Sequence, residues 1–187
     1  MKLVDVPDLG DPGPDEIIIE VEASAIEPTD QYIIAGIYGE LPPLPHILGC
    51  TGVGRVVAIG RDVTHVKVGD RTLVPINGNA WVQRVKTDAE WLRALPDGDV
   101  NQLAMLGMNP VTALLLLTDF VTLKPGDWLI STAANSAVGR AIIRSVMIGT
   151  VRLLTRREAS RCTSAESFIA MKVSRQPQLT VREFARR

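Results

Sequence analysis

The chain has 187 residues, 46% hydrophobic and 22% charged, with 20 Lys and Arg against 21 Asp and Glu. That length makes one compact domain, or one domain and part of a second, and the apolar share excludes a disordered chain. The balanced charge argues against nucleic-acid binding, and apolar runs such as Ala113 to Leu117 are too short to span a bilayer.

Cys50 and Cys162 are the only cysteines, which excludes a disulfide framework and a four-cysteine zinc site. Asp5, Asp8 and Asp11 fall where a secretory signal would be apolar, so a reducing, intracellular setting is expected. Aromatics make up only 4%, so the core must be built from Val, Ile, Leu and Ala.

From Met1 to about Pro96, short apolar runs are cut by Gly, Pro and Asp. Glu16 to Glu22 reads as a strand, as does the β-branched run Gly52 to Gly60. Arg71 to Pro75 follows the turn Gly69-Asp70, and Ala80 to Val85 follows Asn77-Gly78. Strands at this spacing predict a compact, barrel-like β domain. Pro28, Pro42, Pro43 and Pro45 bracket a loop in which regular helix is not expected.

The style changes after Asp99. Asn101 to Phe120 is long and apolar and predicts one or two helices, interrupted near Asn109-Pro110. Pro125-Gly126-Asp127 is a turn, Trp128 to Thr132 a short buried strand, Ala137 to Ile148 a helix and Thr150 to Thr155 a strand. Strand, helix and strand in such close succession predict a βαβ unit, which requires a parallel pair. Arg156 to Arg187 holds scattered Arg, Ser and Gln without periodicity, and only Phe168 to Met171 is apolar. A doubly wound domain needs several more strand–helix units, so the C-terminal part reads as incomplete or altered.

The run Ser131 to Arg140 lies between an apolar strand and a helix. Small residues there let backbone N–H groups approach a pyrophosphate at a helix N-terminus. The glycine fingerprint is degraded, with Ala137 at a usual glycine position and only Gly139 remaining; a plain strand–helix turn packed with small residues fits the local sequence equally. Where NAD-binding folds place an acidic residue on the ribose, this chain has Thr155-Arg156-Arg157, and guanidiniums there suit a 2′-phosphate. The same arginines also read as the start of a solvated basic tail.

Three stretches now carry a family resemblance: Pro45 to Gly60, Val68-Gly69-Asp70-Arg71, and Leu123 to Asp127 running into Asn135 to Gly139. With them the chain resembles the medium-chain dehydrogenase/reductase superfamily from Leu3 to about Arg157. That resemblance implies a mixed α and β chain: a GroES-like β-barrel domain over 1–100, then a linking helix and partial NADP-binding Rossmann βαβ unit over 101–157. Residues 158–187 form a tail outside the family pattern, with a composition that allows disorder. The stretches Ala25 to Asp30, Ala35 to Gly39 and Gly107 to Ala113 resemble the zinc-free, mitochondrial-type 2-enoyl thioester reductases and the related quinone oxidoreductases.

The resemblance implies Tyr38 as proton donor, and Asn109, Thr112, Asn135, Ser136, Ala137, Val138, Gly139, Thr155, Arg156 and Arg157 as NADPH contacts. It implies NADPH-dependent reduction of an enoyl-CoA or enoyl-acyl-carrier-protein, a step of fatty acid metabolism. Quinone or alkenal reduction, or a truncated non-catalytic remnant, are the alternatives. Tyr38 read alone is a loop tyrosine between turn-forming glycines. A small-molecule acyl thioester is the implied partner, with no nucleic acid and no membrane; family members are often homodimers. Bacterial cytoplasm or mitochondrial matrix is the implied compartment.

No metal is expected. Glu27, Cys50 and Thr51 stand where zinc-using relatives hold ligands, and Thr51 is a poor one. Cys50 reads as a packing residue and His65 as a surface residue. Glu27 replaces the asparagine that the reductases carry beside the substrate, and an unpaired buried carboxylate there would be costly.

Overall fold

The computed structural model describes residues 1–120, 123, 128–131, 133–145 and 169–172. The chain divides into two compact units, Met1–Met108 and Asn109–Arg187. The boundary falls later than the change of sequence style near residue 100.

In the first unit, strands β1 (Glu16–Ser24), β2 (Gly52–Ile59), β3 (Arg71–Val74) and β4 (Arg84–Asp88) form an antiparallel sheet in the order β3-β2-β1-β4. β1 lies between β2 and β4, and its alternation gives it one buried face: Ile17 and Ile19 are wholly buried while Glu20 is exposed. Two register shifts against β2, between Ile18 and Ile19 and between Val21 and Ala23, bend the strand. The core gathers Ile17, Ile19, Val56, Val74, Val85 and Leu92, with no aromatic member among its fully buried side chains. A second cluster sets Leu103 and Ala104 of α2 (Val100–Ala104) on Val53 of β2.

Three strands are also tied across their polar face. Glu22 of β1 accepts from Arg55 Nε of β2 at 2.9 Å and from Arg71 Nε of β3 at 2.6 Å. The Arg71 hydrogen bond, opposed by partial desolvation and assisted by both guanidinium charges, holds the Glu22 carboxyl below its ordinary 4.5. A folded-state value below the unfolded one means the stabilisation is full above about pH 4.5 and is lost as pH falls through the folded value. The thermal midpoint of wild type should therefore exceed that of Glu22→Gln at pH 7, by an amount that shrinks with added salt and vanishes in acid. A constant difference from pH 7 to pH 2 would contradict this.

Two expectations need correcting here. The Pro28-bracketed segment does contain a regular helix, α1 (Pro28–Ala35). Pro28 occupies its first turn, where the missing N–H would have had no intrahelical partner. The fourth strand starts later than Ala80. Asn77 and Asn79 both take φ of 59°, and Ala80 and Trp81 donate to Gly49 and Leu48 outside the sheet ladder. His65 is exposed, as expected, with Nε2 2.7 Å from the Ala89 carbonyl.

In the second unit, α3 (Asn109–Thr118) packs Ala113 and Leu117 against Ile142 of α4 (Ala137–Ser145). The expected interruption of the apolar stretch is present between α2 and α3. Strand β5 (Trp128–Ser131) pairs antiparallel with β6 (Ile169–Lys172), Trp128 facing Lys172 and Ser131 facing Ile169. The expected parallel partner, Thr150 to Thr155, lies outside the described residues. The described pairing thus recruits part of the tail, where a four-residue strand among Arg, Ser and Gln gave no periodic signal.

Candidate active-site elements

Each unit holds its own candidate element. In the first, Ser24 of β1 donates to the Thr51 carbonyl at 2.7 Å, joining the approach to α1 and the entry to β2. Between them lies a buried acidic cluster. Asp30 is wholly buried, and Glu27, Cys50 and Thr51 are nearly so. Glu27 and Asp30 form a capping box at the start of α1, in which Asp30 Oδ2 accepts the Glu27 N–H at 2.8 Å. Asp30 Oδ1 accepts the Cys50 N–H at 3.0 Å. Glu27 is thus built into a helix cap, so the isolated buried carboxylate feared at this position does not arise.

The cluster also governs Cys50. Burial, then the Asp30 hydrogen bond and the charges of Asp30 and Glu27, push its thiol up to about 12. A thiol held neutral by two carboxylates is a poor metal ligand and a poor nucleophile. Among the described residues no group of three or more His, Cys, Asp and Glu is placed to hold a metal ion. Native protein at pH 8 should leave Cys50 unmodified by iodoacetamide and take up the label there on denaturation, as peptide mass spectrometry would reveal. Rapid native labelling of Cys50 would contradict its protonated, buried state.

Tyr38 lies just beyond α1. The helix ends at Gly36, whose φ of 71° is left-handed and favours glycine. Gly36 and Ile37 donate to Ile33 and Tyr32 carbonyls, and the chain then delivers Tyr38 to the surface, 39% exposed. The residue is thus accessible from solvent, and Ile37 and Leu41 beside it are exposed as well.

In the second unit the predicted nucleotide loop is a tight strand–helix turn. Ser136 N–H donates to Ala133 O at 2.9 Å, and Ser136 Oγ then caps α4 by accepting the Gly139 N–H at 3.0 Å. A Cβ on Gly139 would lie 2.9 Å from Ala134 carbons and closer still to the Ala133 carbonyl. Only glycine allows so close a helix–turn approach, as a dinucleotide loop requires. Asn135 and Ser136 are exposed beside the α4 N-terminus. The N–H groups of Ala137 and Val138 open the helix, where no carbonyl within it precedes them by a turn. This part fits a pyrophosphate, although Gly139 serves it through packing, its N–H being engaged by Ser136.

The structure thus brings Asn135, Ser136, Ala137, Val138 and Gly139 together, and sets Asn109 and Thr112 one turn apart on the helix packed against α4. Thr155, Arg156 and Arg157 lie outside the described residues. Asp30 is the residue that sequence reasoning missed. Its signal was present: an acidic residue three positions after Glu27, following a proline.

Comparison with known proteins finds one family match and several relatives. The alcohol dehydrogenase GroES-like domain family matches residues 13–119. The mitochondrial enoyl-[acyl-carrier-protein] reductase of Xenopus tropicalis is 38% identical over 153 residues, 79% of this chain and 43% of that protein. Its Homo sapiens namesake is 40% identical over 132 residues, 69% of this chain and 35% of that protein. The mitochondrial 2-enoyl thioester reductase heterodimer from Candida tropicalis superposes with a TM-score of 0.62 at 25% identity, covering 78% of this chain and 45% of that one. The chain spans less than half the length of these relatives. It belongs to the alcohol dehydrogenase GroES-like domain family, and it resembles enoyl thioester reductases of the medium-chain dehydrogenase/reductase superfamily.

Proposed function

We propose that the chain carries the proton-donating loop and the first pyrophosphate-binding turn of an NADPH-dependent 2-enoyl thioester reductase. The observation that carries this reading is the Ala133 to Gly139 turn, closed by Ser136 and packed so tightly that position 139 must be glycine. Identity of 38% with an enoyl-acyl-carrier-protein reductase supports the substrate class.

When bound, NADPH supplies a hydride to the β carbon of the conjugated double bond. The chain's own residues have three tasks. Ala137 and Val138 N–H groups at the α4 N-terminus hold the pyrophosphate, with Asn135 and Ser136 beside them. Asn109 and Thr112 on α3 contact the cofactor. Hydride addition passes negative charge to the thioester carbonyl oxygen; Tyr38 Oη then gives a proton to the α carbon, which restores the neutral carbonyl and leaves a tyrosinate that regains its proton from solvent. Arg156 and Arg157, with Thr155, hold the 2′-phosphate and set the preference for NADPH over NADH. The mitochondrial names of its relatives support the matrix rather than bacterial cytoplasm as the compartment.

The test is NADPH consumption at 340 nm with a short 2-enoyl-CoA, and in parallel with a benzoquinone. Turnover of the thioester alone is expected. Turnover of the quinone alone would transfer the chain to quinone reduction. Failure with both, in protein that still binds NADPH, would leave it a cofactor-binding remnant.

A further inference from the structure

α1 is attached in an unusual way. Its only fully buried residue is a carboxylate, Asp30, while Tyr32, Ile34 and Ala35 are exposed. An apolar face ordinarily docks a surface helix. Here that role passes to the two oxygens of Asp30, one on the Glu27 N–H within the helix cap and one on the Cys50 N–H across from it. A carboxylate accepting from backbone N–H groups makes strong, charge-assisted bonds, and burial excludes competing water. The Tyr38 loop leaves α1 directly through the Gly36 cap, so what fixes α1 also fixes the root of that loop.

We propose that Asp30 is a positioning residue that pins α1 to the segment entering β2 and thereby sets Tyr38 for proton delivery; the catalytic half rests on the enoyl reductase reading above. Asp30 touches no reacting atom. It acts through the helix, and its two acceptor bonds are not reproduced by asparagine, whose amide nitrogen would confront one of the two N–H donors.

The first arm of the test needs no turnover. Amide hydrogen exchange is followed in the full chain for wild type, Asp30→Asn and Asp30→Ala. Exchange at Gly36 and Ile37 should rise by about tenfold or more in both variants, while Val56 and Gly60 in and beside the sheet keep their protection. Unchanged protection at Gly36 and Ile37 would overturn the proposal, because α1 would then be held by something else. A uniform rise that includes Val56 and Gly60 would overturn it too, by making Asp30 a residue of the general fold.

The second arm is a double-mutant cycle on thioester reduction. Asp30→Asn should lower kcat by about tenfold to a hundredfold, with KM for NADPH unchanged, and should add nothing once Tyr38 is Phe. Equal losses in both backgrounds would show that Asp30 does not act through Tyr38. Local release of Gly36 and Ile37 in a chain without wild-type turnover would sink the reductase reading and leave the anchoring role of Asp30 standing.

Discussion

Gly139→Ala is expected to abolish measurable NADPH binding while leaving the first unit folded. The added methyl would meet the Ala133 carbonyl and the Ala134 backbone carbons, which are main chain and have no rotamer by which to yield. Ser136 makes the turn stiffer still, because it is bonded to Ala133 O on one side and to Gly139 and Arg140 N–H groups on the other. Overpacking of this kind costs about 1–3 kcal/mol. Here the strain falls on the turn proposed to receive the pyrophosphate. Ser136→Ala provides the contrast, since it removes one cap bond, worth about 1 kcal/mol, without a clash. Titration with NADPH should give no saturation for Gly139→Ala and weakened saturation for Ser136→Ala. Wild-type affinity in Gly139→Ala would mean that the turn is not the binding element.

Tyr38→Phe is the second large effect, and it should be purely kinetic. The side chain is half-exposed on a loop beyond the α1 cap, so loss of one hydroxyl should leave the thermal midpoint unchanged. A positioned general acid contributes about 10²–10⁴-fold, and kcat for an enoyl-CoA should fall within that range. NADPH affinity should stay at the wild-type value, because the turn proposed to hold the pyrophosphate is residues 133–139. A variant that keeps wild-type kcat would remove Tyr38 from the chemistry and return it to the role of a loop tyrosine.

The β domain was largely legible in the sequence because its signals are local. Alternation in Glu16 to Glu22 marks a strand with one buried face, and β-branched residues in Gly52 to Gly60 mark the next. The helix at Pro28–Ala35 was hidden because a proline reads as a breaker unless its position in the first turn is recognised. The burial of Asp30 was hidden for a different reason. Its partner is the backbone N–H of Cys50, distant in the chain, and no pattern of residue types announces a main-chain donor. The late start of β4 turned on left-handed Asn77 and Asn79, a turn-level detail that composition alone leaves open. In the second unit, the Ser131 to Arg140 run was readable as a strand–helix turn from its small residues. What made position 139 obligatory was the distance to Ala133, which only the fold supplies. Pairing of β5 with Ile169–Lys172 was not readable, because a short apolar run specifies neither a partner nor a direction.

The most direct measurement is a titration of the full chain with NADPH and, separately, NADH, followed by nicotinamide fluorescence. Saturable enhancement with NADPH, much weaker enhancement with NADH, and loss of that difference in an Arg156→Ala/Arg157→Ala double substitution are the expected results. Absence of binding by either cofactor, in protein whose circular dichroism shows it folded, would contradict the claim that this chain holds a working dinucleotide site.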